Sequence, residues 1–188
     1  GDRAGRGVTM SARPPIVCFV ARSGTGKTTF LEKLIPQLKA RGLRIGVLKH
    51  HAHATAFDVP GKDSYRLARA GADTVVGSCA LQVAVFHQVA GPTDPDELVR
   101  RYLTDVDLVL AEGFSHSRHP KIEVRRAAAS GDNADPDRRL RSSSDDLLAV
   151  VSDHPVAAAV PVFDLEDAAG VAEFLVRWWQ SQRNADPR

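Results

Sequence analysis

A glycine-rich segment, ARSGTGKTT at residues 21–29, carries the strongest chemical pattern in the sequence. Gly26, Lys27 and Thr28 match the end of a phosphate-binding loop (P-loop), where lysine reaches the β- and γ-phosphates and threonine ligates Mg²⁺. The full pattern begins with glycine, whereas this chain has Ala21, for which we expect a negative φ. Backbone or side-chain contacts to a nucleotide are predicted along the whole loop: Ser23, Gly24, Thr25, Gly26, Lys27, Thr28 and Thr29.

An acidic side chain at the same edge of the fold would complete such a site. Glu112 ends the apolar run DLVLAEG, and ligands of open α/β sheets lie beyond the carboxyl ends of the strands. A carboxylate there can hold Mg²⁺ or orient an attacking water. We therefore predict Lys27 and Glu112 as the catalytic pair, and Thr28 and Glu112 as the metal-binding pair.

Two further groups follow strand-like runs. Lys49 stands before a histidine cluster, KHHAH, and is predicted to contact the nucleotide; His51 and His53 alone are too few for a good metal site. Asp153, in VVSDHP, could accept hydrogen bonds from guanine N1 and N2, which adenine cannot offer in the same way. If the nucleotide carries guanine, Asp153 is the candidate for its selectivity; the alternative is an ordinary turn residue at the end of a strand.

The elements that must position these groups alternate between two periodicities. Continuous apolar runs such as IVCFVA (16–21) and VDLVLAEGF (106–114) indicate buried strands. TTFLEKLIPQLKARG (28–42) and the C-terminal EDAAGVAEFLVRWWQSQR (166–183) have helical spacing. This alternation predicts the α/β class: a mostly parallel sheet with helices on both faces, as in P-loop NTPases, in which a small strand pair within residues 73–89 forms an antiparallel part of the sheet.

The length and composition predict one globular domain, residues 15–183, with tails at 1–14 and 184–188. Residues 127–146 have no period and are predicted to be a mobile loop or an insertion. No apolar run approaches the length of a membrane span. The net charge of +2 comes from scattered basic residues, which argues against nucleic acid. A cytoplasmic protein without a membrane or nucleic-acid partner is expected.

The order of several blocks resembles the molybdopterin-guanine dinucleotide biosynthesis protein B (MobB) family. These blocks are SGTGKTTFLEKLIPQLKARGLRIGVLKH, FDVPGKDSYRLARAGA, DLVLAEGF and PKIEVRR. The resemblance implies a homodimeric P-loop protein that binds GTP and Mg²⁺ and hydrolyses GTP slowly. It implies an accessory role toward the guanylyltransferase, protein A of the pathway, which joins GMP to molybdopterin, itself a candidate ligand. It also makes Asp63 a candidate near the γ-phosphate or Mg²⁺, and ranks Lys121 above Arg125 and Arg126 as a contact for pterin phosphate or partner.

Two other functions remain open at this point. A small-molecule kinase would use Arg138, Arg139 and Arg141 of the aperiodic segment as a lid over the phosphates. A GTP-gated metal carrier would hold its cargo at the histidine cluster. The enzyme class is therefore left as a weak GTPase at most.

Overall fold

The computed structural model describes residues 13–22, 24–50, 57–127 and 145–185. They belong to two compact units, one formed by Gly1–His50 with Pro95–Arg188 and the other by His51–Asp94. Most of the expected tails and of the aperiodic segment lie outside the described residues.

Twelve helices and strands lie in the described residues, and their order matches the predicted alternation. In chain order they are β1 Ile16–Val20, α1 Lys27–Ala40, β2 Ile45–Lys49, α2 Asp63–Arg69, β3 Thr74–Ser78, β4 Val83–His87, α3 Pro95–Tyr102, β5 Leu108–Glu112, β6 Lys121–Arg125, β7 Leu147–Ser152, β8 Val162–Asp164 and α4 Ala168–Ala185. Within the described ranges, no helix has both the length and the apolarity needed to cross a membrane.

The first unit is built on a six-stranded sheet in the order β2-β5-β1-β6-β7-β8, and every pair in it is parallel. The prediction of a parallel α/β sheet is confirmed. β5 lies between β1 and β2, so the connection from β1 to β2 passes β5, and the connection from β5 to β6 passes β1. The carboxyl ends of all six strands meet at one edge, which is where the predicted site residues must gather.

Two apolar layers cover this sheet. One contains the buried faces of α1 and α4, with Leu34 and Leu175 fully buried against the sheet. The other contains Val99 of α3, packed with Cys18 and Val109 on the opposite face. Helices therefore lie on both faces, as predicted, and central strands such as β1 are buried throughout.

Helix α1 follows the predicted period. Phe30, Leu31, Leu34 and Leu38 are its buried residues, and the helix continues through Pro36 to Ala40. The chain then leaves the helix at Gly42, whose φ of 86° is favourable only for glycine.

The second unit contains α2 and the antiparallel pair β3–β4, in which Val76 lies opposite Val85. The antiparallel pair is confirmed, but the expectation that it forms part of the main sheet is wrong, because it makes a separate two-stranded sheet. Val76, Val83 and Val85, on one face of this pair, are 62%, 65% and 44% exposed. The unit therefore presents an apolar strand face that it does not bury itself.

Candidate functional site

The P-loop connects β1 to α1 with the predicted backbone geometry. Gly24 and Gly26 have φ values of 77° and 84°, which glycine adopts without steric cost. Thr25 is buried, and its hydroxyl donates to the Arg22 carbonyl at 2.5 Å, closing the turn. The side chain of Thr25 is thus structural, while Ser23 lies outside the described residues.

Ala21 is compatible with this loop despite replacing the usual glycine. Phe114 is the only non-glycine residue with a positive φ in the described ranges, so Ala21 has the expected negative φ. An alanine methyl group is tolerated in that backbone conformation.

The N-terminus of α1 is arranged to receive an anion. Gly26 caps the helix without a side-chain hydrogen bond from the described residues, and the Phe30 N–H makes the first helical bond to the Gly26 carbonyl at 2.9 Å. The N–H groups of Lys27, Thr28 and Thr29 precede this bond, and such groups have no partner within a helix. Together with the helix dipole they favour a phosphate.

Four of the predicted side chains converge beside this helix end. The Thr28 hydroxyl donates to Glu112 Oε1 at 3.0 Å. Lys27 Nζ lies 3.7 Å from Glu112 Oε1, and Lys49 Nζ lies 3.5 Å from Glu112 Oε2. The Glu112 side chain is only 14% exposed, so one largely buried carboxylate is shared by two ammonium groups and a hydroxyl.

The parallel register explains this convergence. Glu112 is the residue of β5 opposite both Phe19 of β1 and Lys49 of β2. Alternation along β5 places Glu112 on the same face as the buried Leu108 and Leu110, which is the face that α1 covers. Lys27 and Thr28 open α1 on that face.

The turn after Glu112 is constrained. Gly113 has a φ of 97°, and a Cβ there would lie 3.1 Å from His50 Cβ, so glycine is required for both conformation and space. Phe114 follows with a φ of 54°, an uncommon value for an aromatic residue, and its ring lies 5.0 Å from the His50 ring. The His50 N–H also donates to the Glu112 carbonyl at 2.9 Å. These contacts fix the ends of β2 and β5 together.

A cleft of about 480 Å³ opens beside Lys27. Phe19, Val20, Ala21 and Gly113 contribute its wall, and Ser115 and His116 of the β5–β6 loop add polar groups. The sequence analysis did not select Ser115 or His116. They could have been selected because they follow Gly113 by two and three residues, at the carboxyl end of a predicted strand.

Asp153 lies just beyond β7, as expected, and already has partners. Its Oδ1 accepts the Ala127 N–H at 2.8 Å and lies 2.9 Å from His154 Nδ1. The hydrogen bond from His154, then that from Ala127 and the charges of His154 and Arg126, hold the pKa of Asp153 below its usual value despite partial burial. An ionised Asp153 is an acceptor only, as reading guanine requires.

Lys121 is not an exposed contact for a ligand. Its side chain is 4% exposed, and Nζ donates to the carbonyls of Ser117 and His119 at 2.6 and 3.1 Å and to Asp146 at 3.2 Å. The expectation that ranked Lys121 above Arg125 and Arg126 as an exposed contact conflicts with this burial, because the ammonium holds the β5–β6 loop and its hydrogen bonds are already made.

The remaining predicted groups stay predictions. Asp63 begins α2 in the second unit and lies 3.6 Å from Arg66 Nη1. The residues invoked for the carrier and the kinase lid, His51, His53, Arg138, Arg139 and Arg141, lie outside the described residues. In the part of the chain that the structure describes, no three histidine, cysteine or acidic side chains are grouped to bind a metal.

Comparisons with a family profile and with individual proteins point to the same family. The profile of the family "MobB: Molybdopterin guanine dinucleotide synthesis protein B" matches residues 16–153. A molybdopterin-guanine dinucleotide biosynthesis adapter protein of Escherichia coli (strain K12) is 38% identical over 174 residues, which cover 89% of this chain and 95% of that protein. The adapter protein of the same name from Haemophilus influenzae is 33% identical, covering 91% of this chain and 93% of that protein.

Solved structures give the same answer at the level of the fold. A crystal structure of molybdopterin-guanine biosynthesis protein B has a TM-score of 0.67 and 29% identity, covering 88% of this chain and 99% of that chain. Bacillus subtilis MobB has a TM-score of 0.65 and 26% identity, covering 88% and 97%.

Proposed function

The chain belongs to the molybdopterin guanine dinucleotide synthesis protein B family, and from that premise we propose that it is a GTP-binding adapter in the attachment of GMP to molybdopterin. The names of its relatives support the adapter role and the pathway. The observation that best supports nucleotide binding is the convergence of Lys27, Thr28 and Glu112 at the N-terminus of α1.

The donor set fits Mg²⁺ and a polyphosphate. The Thr28 hydroxyl and the Glu112 carboxylate are hard oxygen ligands, and Mg²⁺ is usually bound by one or two such groups together with phosphate oxygens and water. Lys27, Lys49 and the first N–H groups of α1 supply positive charge for the phosphates. When bound, Mg²⁺ would neutralise charge on the β- and γ-phosphates.

Slow hydrolysis is part of the proposal. A Glu112 carboxylate that holds Mg²⁺ cannot also act as a base for the attacking water, so turnover without a partner is expected to be low. The partner we propose is the guanylyltransferase of the pathway, and the compartment is the cytoplasm.

A homodimer is also proposed. Its support is the exposed apolar face of the β3–β4 pair, with Val76 at 62% exposure and Val83 at 65%, and the two open edges of this two-stranded sheet. Light scattering of the parent and of a Val76→Asp, Val85→Asp variant tests this, and the variant is expected to be monomeric. A monomeric parent would contradict the homodimer.

Titration with labelled GTP and ATP, with and without Mg²⁺, tests nucleotide binding. We expect tighter binding of GTP, strengthened by Mg²⁺, and a loss of at least tenfold in Lys27→Ala, because a charge-assisted phosphate contact is removed. Lys39→Ala, which removes an exposed lysine from the same helix, is the matched control and should bind as the parent does. Equal affinity of Lys27→Ala and the parent would refute the assignment.

The same titration separates the other two functions. A kinase is expected to prefer ATP and to consume it when its acceptor is present. A carrier is expected to bind Ni²⁺ or Zn²⁺ stoichiometrically and to lose the metal in His51→Ala. Neither behaviour is expected of the adapter.

A further inference from the structure

Arg126 lies against the P-loop on the side away from Glu112. A Cβ at Gly26 would lie 3.4 Å from Arg126 Nη2 and 3.7 Å from its Cζ, so the guanidinium lies directly beside the position of Gly26 in the loop. Gly26 is the residue immediately before Lys27, at the start of α1. The guanidinium therefore lies beside the backbone that is proposed to hold the phosphates.

The strand order explains this position. β1, which leads into the P-loop, has β5 on one side and β6 on the other. Glu112 ends β5, whereas Arg126 directly follows β6. The two charged side chains thus lie at the same edge of the sheet but on opposite sides of the loop.

Arg126 also lies between the loop and Asp153. The next residue, Ala127, donates its N–H to Asp153 Oδ1 at 2.8 Å. The positive charge of Arg126 contributes to lowering the pKa of Asp153, after the larger effect of His154. Across the edge of the sheet the order is therefore Glu112, Gly26, Arg126 and Asp153.

This order assigns a part of the nucleotide to each group. If Mg²⁺ and the terminal phosphates lie at Glu112 and Thr28, and the base at Asp153, the α-phosphate lies between them, where Arg126 meets Gly26. A guanidinium is planar and presents paired N–H groups that match two phosphate oxygens.

Resting on the proposed nucleotide binding, we propose that Arg126 binds the α-phosphate of the bound nucleotide. The contact is independent of Mg²⁺, of the γ-phosphate and of the identity of the base, because every nucleoside di- or triphosphate carries an α-phosphate. Arg126 differs in this from Glu112, whose proposed role depends on Mg²⁺, from Lys27, whose role depends on the terminal phosphates, and from Asp153, whose role depends on the base.

The test uses the full chain and three probes: GTP, GDP and ATP, each titrated with Mg²⁺ and with EDTA. In Arg126→Ala we expect the affinity for all three nucleotides to fall by the same factor, about tenfold or more, whether or not Mg²⁺ is present. Arg126→Lys keeps the charge without the paired donors and should give an intermediate loss. Arg177→Ala, which removes an exposed arginine of α4 that pairs with Glu173 in the same helix, controls for net charge and should bind as the parent does.

Each alternative outcome overturns the inference in an identifiable way. Unchanged affinity in Arg126→Ala, with a parent that binds GTP, refutes the contact but leaves the proposed function intact. A loss for GTP and ATP but not for GDP would put the guanidinium at the γ-phosphate, and a loss for GTP and GDP but not for ATP would mean that it acts through Asp153. If Arg126→Ala does not fold, as judged by circular dichroism, Arg126→Lys and Arg126→Gln carry the same comparison. A parent that binds no nucleotide removes the proposed function and this inference together.

Discussion

Replacing Glu112 by glutamine is expected to have opposite effects on nucleotide affinity in the absence and presence of Mg²⁺. The glutamine keeps the shape of the side chain and removes its charge. In the parent that charge faces Lys27 Nζ at 3.7 Å and Lys49 Nζ at 3.5 Å, with the Thr28 hydroxyl at 3.0 Å. Phosphate groups bound by these lysines would have to lie close to the same carboxylate.

The first consequence is a less stable protein without nucleotide. Exposed ion pairs contribute about 0.2 to 1 kcal/mol each, and a half-buried pair belongs at the upper end of that range. Two pairs thus give about 2 kcal/mol, which lowers the melting temperature by about 4 to 8 °C for a chain of this size. Glu173→Gln, which removes an exposed helical ion pair with Arg177, is the control and should change the melting temperature by about 1 to 2 °C at most.

The second consequence appears when nucleotide is added. In EDTA, Glu112 repels the phosphates and competes for both lysines, so Glu112→Gln is expected to bind GTP about fivefold more tightly, which corresponds to about 1 kcal/mol. With Mg²⁺ the order reverses, because the parent has a carboxylate for the metal and the variant does not. The variant should then bind GTP about tenfold more weakly.

Calorimetric titration of both proteins under the two conditions measures the crossover. Weaker binding by the variant in EDTA would show that Glu112 does not compete with the phosphates. An unchanged Mg²⁺ dependence would show that it does not hold the metal. Either result refutes the reasoning from the carboxylate shared between two lysines.

Three further predictions follow from single contacts. Lys121→Met should lower the free energy of unfolding by about 2 to 4 kcal/mol in denaturant titrations, because two carbonyls and Asp146 lose a buried ammonium; a loss below 0.5 kcal/mol would contradict its anchoring role. Asp153→Asn should reduce the ratio of GTP to ATP affinity by about tenfold in competition binding, since the amide offers a donor to guanine N1–H where an acceptor is needed; an unchanged ratio removes Asp153 from the site. Asp107→Asn should destabilise the protein at pH 7 but have little effect below the pKa of Asp107. Burial raises that pKa, but hydrogen bonds and charge from Arg44 more than offset this and hold it below its ordinary 3.8. The stabilisation by Asp107 is therefore present above about pH 4 and is lost as the pH falls. Equal destabilisation at pH 7 and pH 3 in thermal melts would contradict it.

Local sequence patterns were sufficient to predict the secondary structure and some of the residues of the candidate site. The apolar run before Ala21 and the helical period after Lys27 predicted a strand, a loop and a helix, and Glu112 could be selected because it ends an apolar strand. Each of these inferences depends on residues close together in the sequence. They needed no knowledge of which strands are neighbours.

The strand order could not be read from the sequence, and it determines the rest of the site. Lys49 faces Glu112 because β5 inserts between β1 and β2, and Arg126 faces Gly26 because β6 pairs with the other edge of β1. Lys121 was misjudged for the same reason, since the carbonyls that bury its ammonium come from a loop whose path depends on that pairing. The positive φ of Phe114 has no sequence signal, because an aromatic side chain is not favoured in that conformation.

The charge distribution around the P-loop bears on the proposed nucleotide binding. On the side of β5 and β2, Lys27 and Lys49 share Glu112, which offsets one of their two positive charges, so a phosphate bound on that side partly replaces an internal anion. A ligand that only replaces an internal carboxylate gains less affinity than one that meets unbalanced cations, because the free protein already has part of the same electrostatic stabilisation. Mg²⁺ alters this balance if it takes Glu112 as a ligand and so frees both lysines for the phosphates. Under the proposed function, nucleotide occupancy of such a site is expected to depend on the Mg²⁺ complex rather than on the free nucleotide.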